Sequence, residues 1–301
     1  MRTVYLGTSD FAATVLRRLA ASPHRPALVV TPPDRRQGRG RRVSPPPAAL
    51  AAGELGLDLL QAESVNDDEA LARIRAAEPE AVLVCAFGQL IREPLLSDHP
   101  ILNVHPSLLP RWRGAAPIER AIMARDRKTG VCVMRLTEGL DSGPVALCEE
   151  TPIDPEEDFG ALAARLAELG GDLLVRALDL QAEGRLEFAE QDEDGVTYAE
   201  KIEAAERRLD PERPAGELAA RVRALTPHVG AYLELPHAER LGIRAARAES
   251  GGDLEPGKLA ERDGALLLGT ADGALKLEVV QPAGGKPMPS DAYLRGHPLP
   301  G

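Results

Sequence analysis

The sequence predicts an α/β fold with a mostly parallel sheet in its first two-thirds, followed by a smaller β-rich domain. In the first part, short apolar runs alternate with alanine-rich stretches of helical spacing, which is typical of strands joined by crossover helices. Toward the C-terminus the pattern changes to short apolar runs separated by glycine and proline, which is typical of a small barrel. A chain of 301 residues that is 44% hydrophobic is long enough for two such domains.

The first part opens with a strand at 3–7 and a helix that Ser9 or Asp10 can cap. This opening is Rossmann-like, but of the glycines that admit a pyrophosphate only Gly7 is present, so it does not predict a dinucleotide site. Further strands are predicted at 27–31, 81–85, 101–104, 129–136 and 145–151, and helices at 48–53, 67–77, 115–124 and 158–183. This order predicts a Rossmann-like sheet with helices on both faces.

The stretch 191–206 is acidic and has few apolar residues, which indicates a linker. We therefore predict one domain at 1–190 and a second at 207–301. In the second domain a helix is predicted at 214–225, and strands at 230–235, 243–248, 266–268 and 274–280.

Charge and cysteine content exclude several classes of protein. The net charge of −11 argues against unspecific binding to polyanions. Cys85, Cys132 and Cys148 lie among apolar residues without a metal or disulfide spacing, which predicts free buried thiols. There is no apolar signal core at the N-terminus and no run of membrane-spanning length, so we expect a cytoplasmic protein.

Candidate catalytic side chains lie at the end of the predicted strand 101–104, where Pro106 stops the ladder. Asn103 and His105 are two residues apart, so they face the same side of an extended chain. An amide can donate to a developing oxyanion, and an imidazole can move a proton near neutral pH. Asp141, in a glycine-flanked loop, is the candidate to orient the imidazole.

The stretch 32–43 combines five arginines with two glycines. One interpretation is a solvated, flexible loop that reflects the arginine-rich composition of the chain. The other is a mobile arm that contacts phosphates, because guanidinium groups make bidentate contacts to them. The arginines concerned are Arg35, Arg36, Arg39, Arg41 and Arg42.

Three motifs in this chain resemble the folate-dependent formyltransferase family, and within it the members that act on methionyl-tRNA. They are Asn-x-His-Pro-Ser-Leu-Leu-Pro at 103–110, Arg-x-Arg-Gly-Ala-Ala-Pro-Ile at 111–118, and Gly-Leu-Asp-Ser-Gly at 139–143. The resemblance implies that Asn103, His105 and Asp141 are catalytic. It also implies a folate site that includes Ser107, Leu108, Leu109, Pro110, Phe87 and Gly88.

The resemblance implies formyl transfer from 10-formyltetrahydrofolate to the α-amino group of initiator methionyl-tRNA, with no metal. It also implies an OB-like second domain that binds tRNA, and a basic loop at 35–42 that enters the acceptor stem. We expect a monomer. The chain departs from the family pattern at Pro211 and His228, where tryptophan is usual, and both departures fall in the predicted tRNA-binding domain.

Three alternatives follow from the same residues. Glycinamide ribonucleotide formyltransferase shares the Asn, His and Asp set, but its chain would end near the predicted linker. A formyltetrahydrofolate hydrolase would use water in place of the amine. A nucleic-acid-binding module with a degenerate enzyme domain is a third alternative, and the intact catalytic set argues against it.

Overall fold

The computed structural model describes residues 1–37, 42–235, 239–249, 254–297 and 299. The chain forms two compact units, each assembled from three segments. The first unit consists of Met1–Gly114, Lys128–Pro152 and Ala163–Tyr198, and the second of Ala115–Arg127, Ile153–Leu162 and Ala199–Gly301. The stretch predicted as a linker, 191–206, lies on both sides of this division, because the first unit continues to Tyr198.

The strands and helices of the described residues are as follows. The strands are β1 (Thr3–Gly7), β2 (Pro26–Thr31), β3 (Arg35–Gln37), β4 (Arg42–Ser44), β5 (Leu59–Gln61), β6 (Ala81–Cys85), β7 (Ile101–His105), β8 (Arg113–Gly114), β9 (Lys128–Arg135), β10 (Val145–Pro152), β11 (Tyr198–Ala199), β12 (Ala231–Glu234), β13 (Arg240–Glu249), β14 (Leu259–Arg262), β15 (Ala265–Thr270), β16 (Gly273–Gln281) and β17 (Met288–Pro289). The helices are α1 (Asp10–Ala20), α2 (Pro47–Glu54), α3 (Asp68–Ala76), α4 (Leu95–Asp98), α5 (Pro117–Met123), α6 (Phe159–Ala182), α7 (Ala215–Leu225) and α8 (Ser290–Leu294), with a 3₁₀ turn at Ala204–Arg207. No helix in these ranges is both long and apolar enough to cross a membrane.

The first unit is built on a seven-stranded sheet in the order β10-β9-β7-β6-β1-β2-β5. The five strands from β7 to β5 pair in parallel, and β9 and β10 are antiparallel additions at one side. The predicted mostly parallel sheet is therefore confirmed. Strand β5 was not predicted, because only three residues of it pair and none of them is buried.

Helices cover both faces of this sheet. Successive side chains of β1 point to opposite faces and all five are buried, so both faces need cover. Val4 and Leu6 belong to a buried cluster on one face that includes Leu71 of α3. Tyr5 points to the other face, where its hydroxyl donates to the carbonyl oxygen of Ala12 in α1, 2.7 Å away. The unit therefore has the three layers of a Rossmann-like fold.

The antiparallel pairing of β9 with β10 changes the interpretation of the cysteines. Cys132 and Cys148 lie directly opposite each other with their Cα atoms 4.1 Å apart, and they form a disulfide. The prediction of three free thiols is therefore wrong for this pair. The two residues are 16 apart in sequence, and only the strand register brings them together. Cys85 is free and buried.

The stretch that follows β2 forms a β-hairpin. In β3 and β4, Arg35 pairs with Ser44 and Arg36 pairs with Val43 in antiparallel register. The sequence predicted a loop here because arginines and glycines show no apolar alternation. Arg39 and Arg41 lie outside the described residues.

The second unit contains an antiparallel sheet in the order β12-β13-β16-β15-β14, with β17 paired to β16. Its core joins the apolar side chains of these strands to Leu218, Val222 and Leu225 of α7. The predicted β-rich second part is confirmed, although β13 is longer than predicted and β14 was missed. Leu259 and Ala260 of β14 are only partly buried, so the strand has little apolar signal.

Candidate active site

Strand β7 carries two polar side chains into the sheet interior at its carboxyl end. It lies between parallel β6 and antiparallel β9, and all five of its residues are buried. Asn103 is 8% exposed and His105 is 4% exposed. Buried polar side chains need partners, and in open α/β sheets this edge is where ligands bind. The predicted placement of both residues on one strand end is observed.

Asp141 joins these two side chains. Its Oδ1 accepts a hydrogen bond from Asn103 Nδ2 at 3.3 Å, and its Oδ2 lies 3.6 Å from His105 Nδ1. The main-chain N–H of Gly114 also donates to Asp141 Oδ2, at 2.8 Å. The carboxylate therefore lies against both residues, and the three side chains, predicted from two separate motifs, form one cluster.

The second ring nitrogen of His105 is also engaged. Nε2 lies 2.9 Å from the carbonyl oxygen of Trp112, which can only accept, so Nε2 carries hydrogen and donates. In the neutral ring the lone pair is then on Nδ1, beside Asp141. A proton that reaches Nδ1 would form an imidazolium next to a carboxylate, which stabilises the charge.

The residues predicted to bind folate differ in what they contact. The Ser107 hydroxyl is fully buried and donates to the carbonyl oxygen of Arg111 at 2.6 Å, so it closes the turn after β7. Phe87 is 3% exposed and belongs to the core cluster of the sheet. Gly88 is exposed, and Leu108, Leu109 and Pro110 are partly exposed. Only these last four present surface to a ligand.

Two main-chain groups of the site could not be predicted from the motifs. The Trp112 carbonyl and the Gly114 N–H bond to His105 and Asp141, and main-chain atoms carry no side-chain signal. Trp112 has a φ of +63° and Gly114 a φ of +121°, so this loop turns sharply. In the sequence, the glycine that follows two arginines and a tryptophan is the one hint of that turn.

Of the arginines predicted to bind tRNA, Arg35 and Arg36 have side chains that the structure describes, and both are surface residues. Arg36 is exposed, and Arg35 is exposed with its guanidinium 3.9 Å from the Glu63 carboxylate. Within the described ranges, no group of three or more His, Cys, Asp or Glu side chains could hold a metal ion.

Family models and relatives match the chain along nearly its whole length. The model described as "Formyl transferase" matches residues 1–178, and the one described as "Formyl transferase, C-terminal domain" matches residues 201–298. The methionyl-tRNA formyltransferase of Halorhodospira halophila is 44% identical over 303 residues, which cover 99% of this chain and 97% of that protein. The chain belongs to the methionyl-tRNA formyltransferase family. The resemblance inferred from the three motifs is thus confirmed.

Two further members of the family show similar likeness. The methionyl-tRNA formyltransferase of Ruegeria pomeroyi is 43% identical over 100% of this chain and 98% of that protein. That of Methylobacillus flagellatus is 42% identical over 99% of this chain and 97% of that protein. Family membership therefore extends over both units.

Solved structures share the fold at lower identity. HypX from Aquifex aeolicus, in complex with tetrahydrofolic acid, matches with a TM-score of 0.66 and 20% identity over 98% of this chain. This chain spans about half of the HypX chain, 47% of its length. WlaRD, a sugar 3N-formyl transferase, matches with a TM-score of 0.64 and 14% identity over 92% of this chain and 97% of that one. This chain therefore shares its fold with solved structures that include a formyltransferase.

Proposed function

We propose that this chain transfers the formyl group of 10-formyltetrahydrofolate to the α-amino group of initiator methionyl-tRNA. The observation that carries the proposal is the cluster of Asn103, His105 and Asp141 at the carboxyl edge of the sheet, in a chain that belongs to the methionyl-tRNA formyltransferase family. An amide donor can stabilise the oxyanion of acyl transfer to an amine, and an imidazole supported by a carboxylate can move the proton.

In the first step, the free α-amine attacks the formyl carbon and a carbon–nitrogen bond forms. One Nδ2 hydrogen of Asn103 bonds to Asp141, and the other is left for the formyl oxygen as it becomes an oxyanion. Stabilisation of that oxyanion by one fixed donor is worth on the order of 3 kcal/mol. Burial of Asn103 increases the effect, because fewer waters compete for the donor.

In the second step, the bond from the formyl carbon to N10 of the folate breaks, and the proton lost by the amine reaches N10. His105 takes that proton at Nδ1 and returns it, since Nε2 is committed to the Trp112 carbonyl. Asp141 stabilises the imidazolium while the proton is held. The products are N-formylmethionyl-tRNA and tetrahydrofolate.

The substrates are assigned to different parts of the chain. We assign the folate to the turn after β7 and the loop after β6, with Ser107, Leu108, Leu109, Pro110, Phe87 and Gly88 in its site. Because the Ser107 hydroxyl and the Phe87 ring are buried, these two residues act by shaping the site. Leu108, Leu109, Pro110 and Gly88 provide the contact surface.

The tRNA is assigned to the β3–β4 hairpin with its connecting residues and to the C-terminal domain predicted at 207–301. Arg35, Arg36, Arg39, Arg41 and Arg42 supply guanidinium groups for the acceptor stem. Residues 201–301 carry 14 Lys and Arg against 15 Asp and Glu, while residues 1–200 carry 22 against 32, so the second part repels a polyanion less. The enzyme acts as a monomer in the cytoplasm, and size-exclusion chromatography with light scattering tests the monomer.

A single assay tests the proposed function. Purified protein is incubated with 10-formyltetrahydrofolate and with charged initiator or elongator methionyl-tRNA, and N-formylmethionine is quantified after deacylation. Formylation of the initiator in preference to the elongator is expected. Formate release without tRNA would identify a formyltetrahydrofolate hydrolase. In a parallel incubation with glycinamide ribonucleotide, formylation of that compound would identify a glycinamide ribonucleotide formyltransferase. Either result without formylmethionine would refute the proposal.

A further inference from the structure

The segment 191–197 makes the hydrogen bonds that hold the two loops around the candidate active site. Gln191 Nε2 donates to the carbonyl oxygens of Asp141 and Gly143, each at 2.8 Å. Gln191 Oε1 accepts from Arg113 Nε at 3.0 Å. One amide side chain thus connects the loop that carries Asp141 with the loop that follows Trp112.

The bonds to Gln191 matter because the Asp141 loop has an uncommon conformation. Asp141 has a φ of +44°, in the left-handed region that residues with a Cβ rarely occupy. On the other side of the loop, a Cβ at Gly143 would lie 2.0 Å from the Arg135 carbonyl oxygen, so the loop lies tightly against the end of β9. The loop is therefore held between β9 and Gln191, with the Asp141 carboxylate directed at Asn103 and His105.

Thr197 holds the second loop. Its hydroxyl accepts a hydrogen bond from the Trp112 N–H at 2.9 Å, and its carbonyl oxygen accepts one from the Arg113 N–H at 2.9 Å. The carbonyl of the same Trp112 accepts from His105 Nε2. Both polar partners of the imidazole, Asp141 and the Trp112 carbonyl, are thus fixed by residues of one short segment.

We propose that Gln191 is a positioning residue for formyl transfer: it holds the Asp141 carboxylate against Asn103 and His105. Thr197 is a second positioning residue, which holds the Trp112 carbonyl against His105. The inference rests on the proposed function, because it assigns roles at the same site. It follows that residues 191–197, the first part of the segment predicted as a linker, position the catalytic groups, although Gln191 and Thr197 need not contact a substrate themselves.

The first experiment measures kcat and KM for both substrates in the full-length variants Gln191→Glu and Gln191→Met. Glutamate keeps an acceptor for Arg113 but loses both donors, and methionine keeps the shape without hydrogen bonds. Displacement of a catalytic group by about 1 Å costs on the order of a hundredfold, so kcat should fall about 10-fold to 100-fold with both KM values within about twofold. Thr197→Val, which removes the hydroxyl that accepts from the Trp112 N–H and keeps the main-chain carbonyl, should lower kcat about threefold to tenfold.

The matched control is Thr3→Val, which removes a buried hydroxyl that donates to the His24 carbonyl at 3.1 Å. Thr3 lies at the amino end of β1, the sheet edge opposite the candidate site, so its variant should keep the wild-type kcat. A Gln191 variant with wild-type kcat, or one in which only KM rises, would overturn the inference.

A double-mutant cycle separates positioning from a general effect on folding. If Gln191 acts through Asp141, then Gln191→Glu should lower single-turnover rates in the wild type but not in an Asp141→Ala background. Equal losses in both backgrounds would overturn the inference. If the wild-type protein gives no formylmethionine at all, the proposed function fails, and that result is distinct from an active wild type with an insensitive Gln191.

Discussion

Asn103 carries two amide hydrogens, and the protein uses one of them on Asp141. The amide plane is therefore fixed before any substrate binds, and the remaining hydrogen has a defined direction. The imidazole of His105 is likewise held at Nε2, so Nδ1 is the nitrogen that the proposed mechanism uses for proton transfer. At the residue scale, the site is preorganised because Asn103 and His105 each use one hydrogen-bonding position to bond to the protein.

In the mechanism proposed here, Asn103→Ala removes the donor to the oxyanion. We expect kcat to fall about 100-fold to 1,000-fold, because loss of one such donor costs about 2.7–4 kcal/mol of transition-state stabilisation. The affinity for tetrahydrofolate, measured by fluorescence titration, should change much less, since the ground-state carbonyl gains little from the donor. Near-normal turnover in this variant would remove Asn103 from the mechanism.

The three cysteines should differ in reactivity. Burial raises the pKa of the Cys85 thiol to about 12, and the hydrogen bond with Tyr5 offsets only part of that rise. The thiolate is then on the order of one part in ten thousand at pH 8, and it is shielded from reagents. With Cys132 and Cys148 joined, the native protein should take up no iodoacetamide by intact mass.

Unfolding provides the control for this prediction. In denaturant without reductant, Cys85 alone should be alkylated, and prior reduction should raise the count to three. Three adducts without reductant would show that Cys132 and Cys148 are not joined in solution.

At the scale of elements, the β3–β4 hairpin presents Arg35 and Arg36 on a paired backbone. Pairing reduces the ordering entropy that tRNA binding must offset, compared with the flexible loop predicted from the sequence. Arg35 and Arg36 are exposed, and the ion pair of Arg35 with Glu63 is long, so both remain available to phosphates.

Replacing Arg35 and Arg36 by glutamine should lower kcat/KM for initiator tRNA and flatten its salt dependence. Each lost phosphate contact reduces the slope of log kcat/KM against log salt by about 1. Arg176→Gln is the matched control, because Arg176 is similarly exposed and lies 3.8 Å from Glu149. Measurements with initiator and elongator tRNA at several salt concentrations distinguish phosphate-contacting arginines from solvated ones. An unchanged slope would show that Arg35 and Arg36 are solvated surface residues without phosphate contacts.

A second element of interest is the 3₁₀ turn at Ala204–Arg207. Arg120 of α5 donates to Glu206 Oε1 at 2.6 Å, and its guanidinium also reaches the Glu200 carbonyl at 3.0 Å. The Glu206 carboxylate completes a capping box with Glu203. The hydrogen bond from Arg120 holds the pKa of Glu206 below its ordinary value despite partial burial, so the ionised carboxylate stabilises the fold.

Glu206→Gln should therefore cost about 1 kcal/mol in free energy of unfolding near pH 7. Because the folded pKa is depressed, the stabilising contribution is present above the unfolded pKa of about 4.3 and is lost as pH falls through the lower folded value. Urea titrations at pH 7 and pH 3.5 measure the difference. A cost that is equal at both pH values would contradict the ionic origin.

At the scale of the whole molecule, the features that could be predicted from the sequence are those set by local patterns: the strands and the face on which a side chain lies. The all-apolar run 81–85 indicated a strand buried on both faces, and the two-residue spacing of Asn103 and His105 placed both on one face. The Cys132–Cys148 bond and the contacts of Gln191 depend on strand register and loop return over long stretches of chain. Such pairings leave no periodic signal, so they could not be predicted from one sequence.

The segment structure of the two units predicts the outcome of truncation. A chain that ends at residue 190 loses Gln191 and Thr197, and it leaves two segments of the second unit without their partners. Met123 packs against the core cluster of that unit, and Phe159 stacks on His228 with ring centroids 3.7 Å apart. We expect the truncated chain to lack a cooperative thermal transition and near-ultraviolet dichroism, whereas the full chain shows both. Cooperative unfolding with retained tetrahydrofolate affinity would contradict this expectation.

The alternation of segments also has a consequence for synthesis. The first unit receives its last segment, Ala163–Tyr198, only after two segments of the second unit have left the ribosome. At roughly 5–20 residues per second, about 10–40 s pass before the first unit is complete, and the apolar sheet surface at Val104 and Val131, against which α6 packs, stays accessible to ribosome-associated chaperones for that time. Nascent chains stalled at successive lengths should therefore gain protease resistance in one late step, and resistance of chains stalled before β9 would show that the parallel strands fold alone.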